Sequence, residues 1–205
     1  MARDTSWERL ALHTDRLRLR TPTPRDAQAL YDLFGDEEVM GGLNRVPASD
    51  VEGARAMIEE GTRGWRTDGL GPFILETNGA DPRAVGLAGL MIFDRRGWTP
   101  STWAKAGRHA QPELGWALIR AHWGHGYATE AAAAIRDWAC ECQSISGLVS
   151  LISPDNVRSQ RVAERLGATP TETVTPVDSR RQAVVWRHAS ANRSRTLSGE
   201  AGGSS

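Results

Sequence analysis

The order of hydrophobic patterns along this 205-residue chain predicts an α/β fold, a mixed and mostly antiparallel sheet with helices on both faces. Three observations carry that expectation. Strand-like and helix-like segments alternate as β-α-α-β-β-β-α-β-α-β. Asn78-Gly79 lies between two apolar runs, a strong signal that a hairpin ties them antiparallel. A strand ending near Leu118 leads through a Gly-x-Gly turn directly into a long alanine-rich helix. With 40% hydrophobic residues the chain can bury one good core, so a single domain is expected over residues 12–188. Residues 1–11 form an extension, and 189–205, rich in Ser, Gly, Arg and Thr, a disordered tail.

Each element has its own signal. Residues 12–20 alternate over Leu17 and Leu19, as a half-buried strand does. Thr23-Pro24 opens a helix by the cap-then-proline rule, with the stripe Ala27, Leu30, Tyr31 and Phe34. Ser49-Asp50-Val51-Glu52 is a capping-box pattern for a second helix reaching Trp65. Residues 71–77 and 84–93 read as the two hairpin strands. A long connection from Asp94 to Pro112 carries the only lysine, Lys105, and is read as functional or partly disordered. A strand at 113–118 follows, then a helix from Gly124 to Cys142 burying Tyr127, Ala131, Ala134, Ile135 and Trp138. Residues 148–152 form a short strand. Asp155 or Asn156 caps a helix that stops at Leu166-Gly167, and residues 183–186 form the last strand.

A formal net charge of zero and a pI near 7.0 argue against a nucleic-acid or membrane-surface partner. The N-terminus shows no signal pattern and no apolar run has membrane length, so a cytoplasmic protein is expected. Cys140 and Cys142, two apart in one helical pattern, point to different faces and staple nothing.

The chemistry-bearing stretch is Pro112-Glu113-Leu114-Gly115-Trp116-Ala117-Leu118, followed by Trp123-Gly124-His125-Gly126-Tyr127-Ala128-Thr129-Glu130. A dinucleotide fold would need a third glycine where Thr129 stands and an acid at the end of the next strand. A Walker loop would need Gly-Lys-Ser/Thr. Neither is present. What remains is a short cradle in which Gly124 and Gly126 let the backbone approach a pyrophosphate, with amides through Thr129 pointing at it. His122 and His125 lack the spacing and the neighbours of a metal site, so no metal is expected.

These motifs, with Asn156-Val-Arg-Ser159-Gln-Arg-Val-Ala-Glu-Arg-Leu-Gly167 and the opening Thr14-Asp15-Arg16-Leu17-Arg18-Leu19-Arg20, closely resemble the GNAT N-acetyltransferase superfamily. Within it the chain looks like the RimJ/RimL-type branch, named for ribosomal-protein N-terminal acetyltransferases. The resemblance implies acetyl-CoA as donor and a primary amine as acceptor. It also implies that the pantetheine arm pairs with main chain near Ala117 and Leu118. The pyrophosphate would lie on the amides from His122, Trp123, Gly124, His125, Gly126, Tyr127 and Ala128 to Thr129, and Asn156 would reach the cofactor.

For attack of an amine on a thioester, Glu113 is the candidate base, the alternative being a solvated or ion-paired strand residue. Glu130, inside the first turns of the helix, reads as an acid favouring the helix dipole. Ser159 shares the inward stripe with Val162, Ala163 and Leu166. It is either a donor to the departing sulfur or a small packing residue. Ala163 stands where many superfamily members carry a tyrosine acid, which leaves protons to water or substrate.

Asp36, Glu37 and Glu38 would attract an ammonium or simply be solvated. Trp98 and Trp103 would wall the acceptor site or form a homodimer contact. Three readings stand: an acetyltransferase acting on a protein or peptide N-terminus, one acting on small amines such as amino-acid derivatives or antibiotics, and a non-catalytic acyl-CoA sensor.

Overall fold

The computed structural model describes residues 6–43, 45–177, 179 and 181–189. Its centre is one nine-stranded sheet: β1 (Ala11–His13), β2 (Leu17–Arg20), β3 (Pro72–Thr77), β4 (Ala84–Asp94), β5 (Thr99–Pro100), β6 (Ala110–Leu118), β7 (Val149–Ile152), β8 (Thr169–Val174) and β9 (Ala183–Arg187). The order is β1-β2-β3-β4-β6-β7-β9-β8, with β5 paired to β4. Every pairing is antiparallel except β6 with β7.

The strand alternation divides the core between the two faces. On one face Leu19, Phe73, Leu75, Leu90 and Leu114 pack under α5 (Tyr127–Cys142), which buries Ala128, Ala131, Ala132, Ile135, Trp138 and Ala139. Tyr127 and Ala134, expected in that face, are only partly buried, because the buried stripe is centred on Ala131 and Ile135. α6 (Val157–Arg165) covers the same face further on, through Ala163 against Ile152 and Trp186. The opposite face holds Ile74 against α1 (Tyr31–Phe34), α2 (Glu37–Gly42) and α3 (Val51–Asp68), with Leu30, Leu33, Met40 and Ile58 buried. Each such aliphatic side chain contributes about 1.5–3 kcal/mol when fully buried.

Four expectations are corrected. Residues 12–20 are not one strand. Thr14's hydroxyl accepts the Leu17 N–H at 2.9 Å and its own N–H reaches Leu17 O, so the chain reverses and β1 pairs back on β2. The helix after Thr23 is broken into a 3-10 turn (Pro24–Ala27), α1 and α2, because Asp36 starts a fresh helix by accepting the Glu38 and Val39 amides. The connection 94–112 is folded. β5 pairs with Phe93 and Asp94, Thr102 caps α4 (Trp103–Ala106), and β6 already starts at Ala110. β8 was missed: it is an almost wholly exposed edge strand carrying Pro170 at a register shift, so it has no apolar alternation to read. The expected tail from 190 onward lies outside the described residues.

Candidate functional site

β6 and β7 meet at a single residue pair, Glu113 with Val149, and then part. On its other side β6 is fully paired to β4, from Gly86 with Leu118 to Asp94 with Ala110. Ile119 donates to Val85 O, and Leu114 O faces β7, where it accepts the Ser150 hydroxyl at 2.5 Å. Strand alternation therefore directs the main-chain groups of Ala117 toward β4, and those of Trp116 and Leu118 toward the gap. Leu118 O accepts Trp123 Nε1 at 2.8 Å. The Leu118 N–H and both polar groups of Trp116 are left facing the gap. Trp116, absent from the sequence-derived set, is thus the better placed backbone for pairing with an extended ligand.

Two side chains take over where the ladder ends. On one face Ser150 bridges to Leu114 O and also meets His188 Nε2 at 2.9 Å. Ser150 has one proton and gives it to Leu114, so His188 must donate from Nε2, leaving Nδ1 as a buried bare acceptor. Burial, helped by the Arg136 charge, pushes the His188 imidazole down to about 4. On the other face Glu113 Oε1 lies 3.5 Å from the Leu151 amide, and a Cβ added at Gly115 would stand 3.3 Å from Glu113 Oε2. No cation pairs with Glu113 among the described residues. Desolvation pushes its carboxyl up to about 7, opposed only by the Leu151 amide.

Past β6 a 3-10 turn (Arg120–His122) leads to Gly124 and Gly126, both left-handed at φ +80° and +81°. The His122 and Trp123 amides are engaged by Ile119 O and Arg120 O. Among the described residues the amides from Gly124 to Thr129 have no backbone partner. The first helical bond is Glu130 N to Gly126 O. The expected cradle therefore narrows to Gly124–Thr129, at the positive end of a 16-residue helix. A Cβ at Gly124 would meet nothing within 4 Å, so this backbone is open to close approach. A pyrophosphate fits such a row of donors. His122 and Trp123 contribute side chains instead, Trp123 lying beneath Arg120 (5.1 Å) and Arg158 (4.2 Å).

Asn156 is the N-cap of α6, its Oδ1 accepting the Ser159 amide at 3.1 Å. Its amide nitrogen has no hydrogen-bond partner among the described residues, and a Cβ on Gly42 would lie 3.2 Å from it, so α2 closes against the start of α6. Ser159 is half-buried on the stripe with Val162, Ala163 and Leu166, as its spacing predicts.

Residues 16–169 match the model of the acetyltransferase (GNAT) domain. The chain belongs to the GNAT acetyltransferases. It is therefore an acetyltransferase, in a family whose donor is acetyl-CoA. It is 31% identical over 164 residues to the uncharacterized protein YkkB of Bacillus subtilis, covering 80% of this chain and 87% of that one. Among solved structures, an acetyltransferase from Agrobacterium tumefaciens superposes with a TM-score of 0.69 at 29% identity, over 88% of this chain and 94% of the other. A Vibrio cholerae protein proposed to be a ribosomal-protein-serine acetyltransferase superposes at 0.68 and 18% identity, over 88% and 97%.

Two other expectations about this GNAT chain need correction. The acids Asp36 and Glu38 are not free to draw in an ammonium. Asp36 caps α2 and pairs with Arg120 at 2.8 Å, which holds its carboxyl below the usual range, and Glu38 pairs with Arg120 and Arg158. Glu37 takes no part in these pairs. Trp103 faces Asp68, Pro112 and Gln143–Ser146 across a cleft of about 480 Å³, rather than Glu113 or Asn156. A second cleft, of about 510 Å³, lies between Trp7, Pro22 and Arg66, equally remote in its lining from the splayed strands. Sequence reading also passed over Ser150, Arg120 and Arg158, whose roles depend on partners 36, 84 and 120 positions away.

Proposed function

We propose that this enzyme acetylates the α-amino group of a protein or peptide in the cytoplasm, in the manner of the RimJ/RimL-type branch. Residues 12–188 would be the catalytic unit. The observation that carries the proposal is Glu113, an unpaired carboxyl near pKa 7 at the one point where β6 and β7 touch, on the strand that runs into the free amides. An α-ammonium (~7.7–8.0) lies about one unit above such a base, whereas a lysine ammonium (~10.4) lies about three above it. The base is matched to the α-amine.

Acetyl-CoA supplies an activated acetyl group when bound. The amides of Gly124–Thr129 would hold its pyrophosphate, the edge of Trp116 and Leu118 its pantetheine arm, and the Asn156 amide nitrogen would add a donor. Glu113 would take the amine proton, directly or through one water, so that the nitrogen lone pair can attack the carbonyl carbon. Ser159 would offer a proton to the departing sulfur.

Calorimetric titration with acetyl-CoA, paired with thiol release over an acceptor panel, tests this. Release with free-N-terminus peptides, and none with N-blocked lysine peptides, is the expected result. Release with small amines alone would assign the enzyme to small-molecule acetylation. Binding without release from any acceptor would make it an acyl-CoA sensor.

A further inference from the structure

Across a trans peptide the carbonyl of one residue and the amide of the next point in opposite directions. Fixing a carbonyl therefore aims the following N–H. In the glycine turn two such carbonyls are fixed from outside the turn's own backbone. Trp123 O is 2.9 Å from His125 Nδ1, which must carry the proton, since a carbonyl only accepts. His125 O accepts Arg16 Nη1 at 2.8 Å. The amides aimed by these two contacts are those of Gly124 and Gly126, residues whose backbone has no side chain to restrain it.

Arg16 is itself locked. Its Nε donates to Glu130 Oε2 at 2.7 Å and its main-chain N–H to Glu130 Oε1 at 2.9 Å. Thr14's hydroxyl donates to the same Oε1 at 2.6 Å, and the guanidinium lies 5.0 Å over the Tyr127 ring. The β1–β2 turn thus grips both the start of α5 and the loop before it. Glu130 resists protonation: against its own desolvation, Thr14 and Arg16 keep it below the ordinary carboxylate range.

We infer that Arg16 and His125 are positioning residues for the donor, presetting the Gly124 and Gly126 amides toward the pyrophosphate of acetyl-CoA. The inference rests on the proposed role of the turn. Preset donors bind without first losing conformational freedom, so the gain appears in donor affinity rather than in chemistry.

The test compares two donors, acetyl-CoA and S-acetyl-pantetheine, which has the same thioester and arm without the pyrophosphate. Arg16→Met should lower kcat/KM with acetyl-CoA about 10- to 100-fold, the range for losing a hydrogen bond to a charged group, through KM. With S-acetyl-pantetheine the change should stay within about twofold. Arg16→Lys should remain impaired, since lysine has a single donor atom in place of the separate Nε and Nη1 that reach Glu130 and His125 O. An equal loss with both donors would overturn the inference and leave Arg16 a stabilising residue. At exposed His125 folding is not at stake: His125→Phe should raise the KM for acetyl-CoA, and His125→Asn, which keeps a donor near Nδ1, should restore it. Equal KM values for those two variants would also overturn it. If the unmutated enzyme itself does not prefer acetyl-CoA over S-acetyl-pantetheine, it is the pyrophosphate reading of the turn that fails.

Discussion

The two sides of the splayed strands are built from different materials. The side proposed for the donor is backbone: a glycine turn, the free amides of α5 and the unpaired edge of β6. The side we propose for the acceptor, around α2 and α6, is assembled from side chains that tie distant segments together. Asp36 at the cap of α2 and Glu38 within it grip Arg120 after β6, Glu38 also holds Arg158 of α6, and Arg181 reaches Gly41 O at 3.2 Å. A backbone site demands particular residues only where the chain bends, whereas a side-chain site can be rebuilt by any compatible set of partners. The first kind suits a donor shared by a whole family, the second an acceptor that varies.

The sharpest way to probe that division is at its boundary, Glu113. Glu113→Gln should lower kcat about 10²- to 10⁴-fold with acetyl-CoA affinity nearly unchanged, as measured by steady-state rates and calorimetry. The sign with pH follows from the raised carboxyl. Below about 7 Glu113 holds its proton and cannot act as base, so the unmutated rate should climb as pH rises through 7. The glutamine variant should lose that rise. A full-rate variant would remove Glu113 from the mechanism.

Next in size is Gly126→Ala. At φ +81° an L side chain costs about 1–2 kcal/mol, and the new Cβ would stand 3.4 Å from Arg16 Nη2. The KM for acetyl-CoA should rise about tenfold with kcat kept, because only the donor side is disturbed. A change confined to the acceptor KM would break the proposed division.

Ser150→Ala affects what holds the two sides together. It removes the bridge to Leu114 O and leaves the His188 Nε2–H buried without a partner, at a cost of about 1–3 kcal/mol in denaturant unfolding. The same histidine gives the fold an acid limit. Its folded pKa of about 4 lies below the ordinary 6.5, so the unfolded chain binds the extra proton first. This contribution is complete above 6.5 and declines as pH falls through the window from 6.5 to 4. The smallest effect belongs to the exposed ion pairs. Glu38→Gln should change the acceptor KM by about two- to fivefold, less at high salt, and leave the donor KM alone.

The same division decides what the sequence could show. The order of the main strands, the β3–β4 hairpin, the glycine turn and the Asn156 cap were legible because each is written in local residue types with their own backbone preferences, although the hairpin closes over residues 78–83 with Thr77 N–H on Arg83 O. Glu113 was visible as an acid on a strand, but its burial depends on where β7 stops pairing, which no neighbouring residue records. The break after Ala27 escaped because Asp26 turns inward to Arg20 (2.6 Å) and Asp36 begins a new helix, whereas the apolar stripe runs straight through both. Ser150 looks like any strand serine until Leu114 and His188 are beside it. The acids at 36–38 invited a role toward the substrate because their arginine partners lie far along the chain.

The single residue pair between β6 and β7 has a mechanical consequence. Six strands with α5 stand on one side of it and three strands with α6 on the other, so the sheet is a pair of plates joined at a pivot. Rotation about that pivot breaks few backbone bonds, and side chains restrain it: the Ser150 bridge, the long Glu113–Leu151 contact, Gln111 on Gly147 O, Arg136 on Leu166 O, and the Glu38–Arg158 pair. Opening at that seam would expose first the amide with the weakest partner, so in hydrogen exchange the Leu151 amide should be released before its neighbours in the β7–β9 ladder.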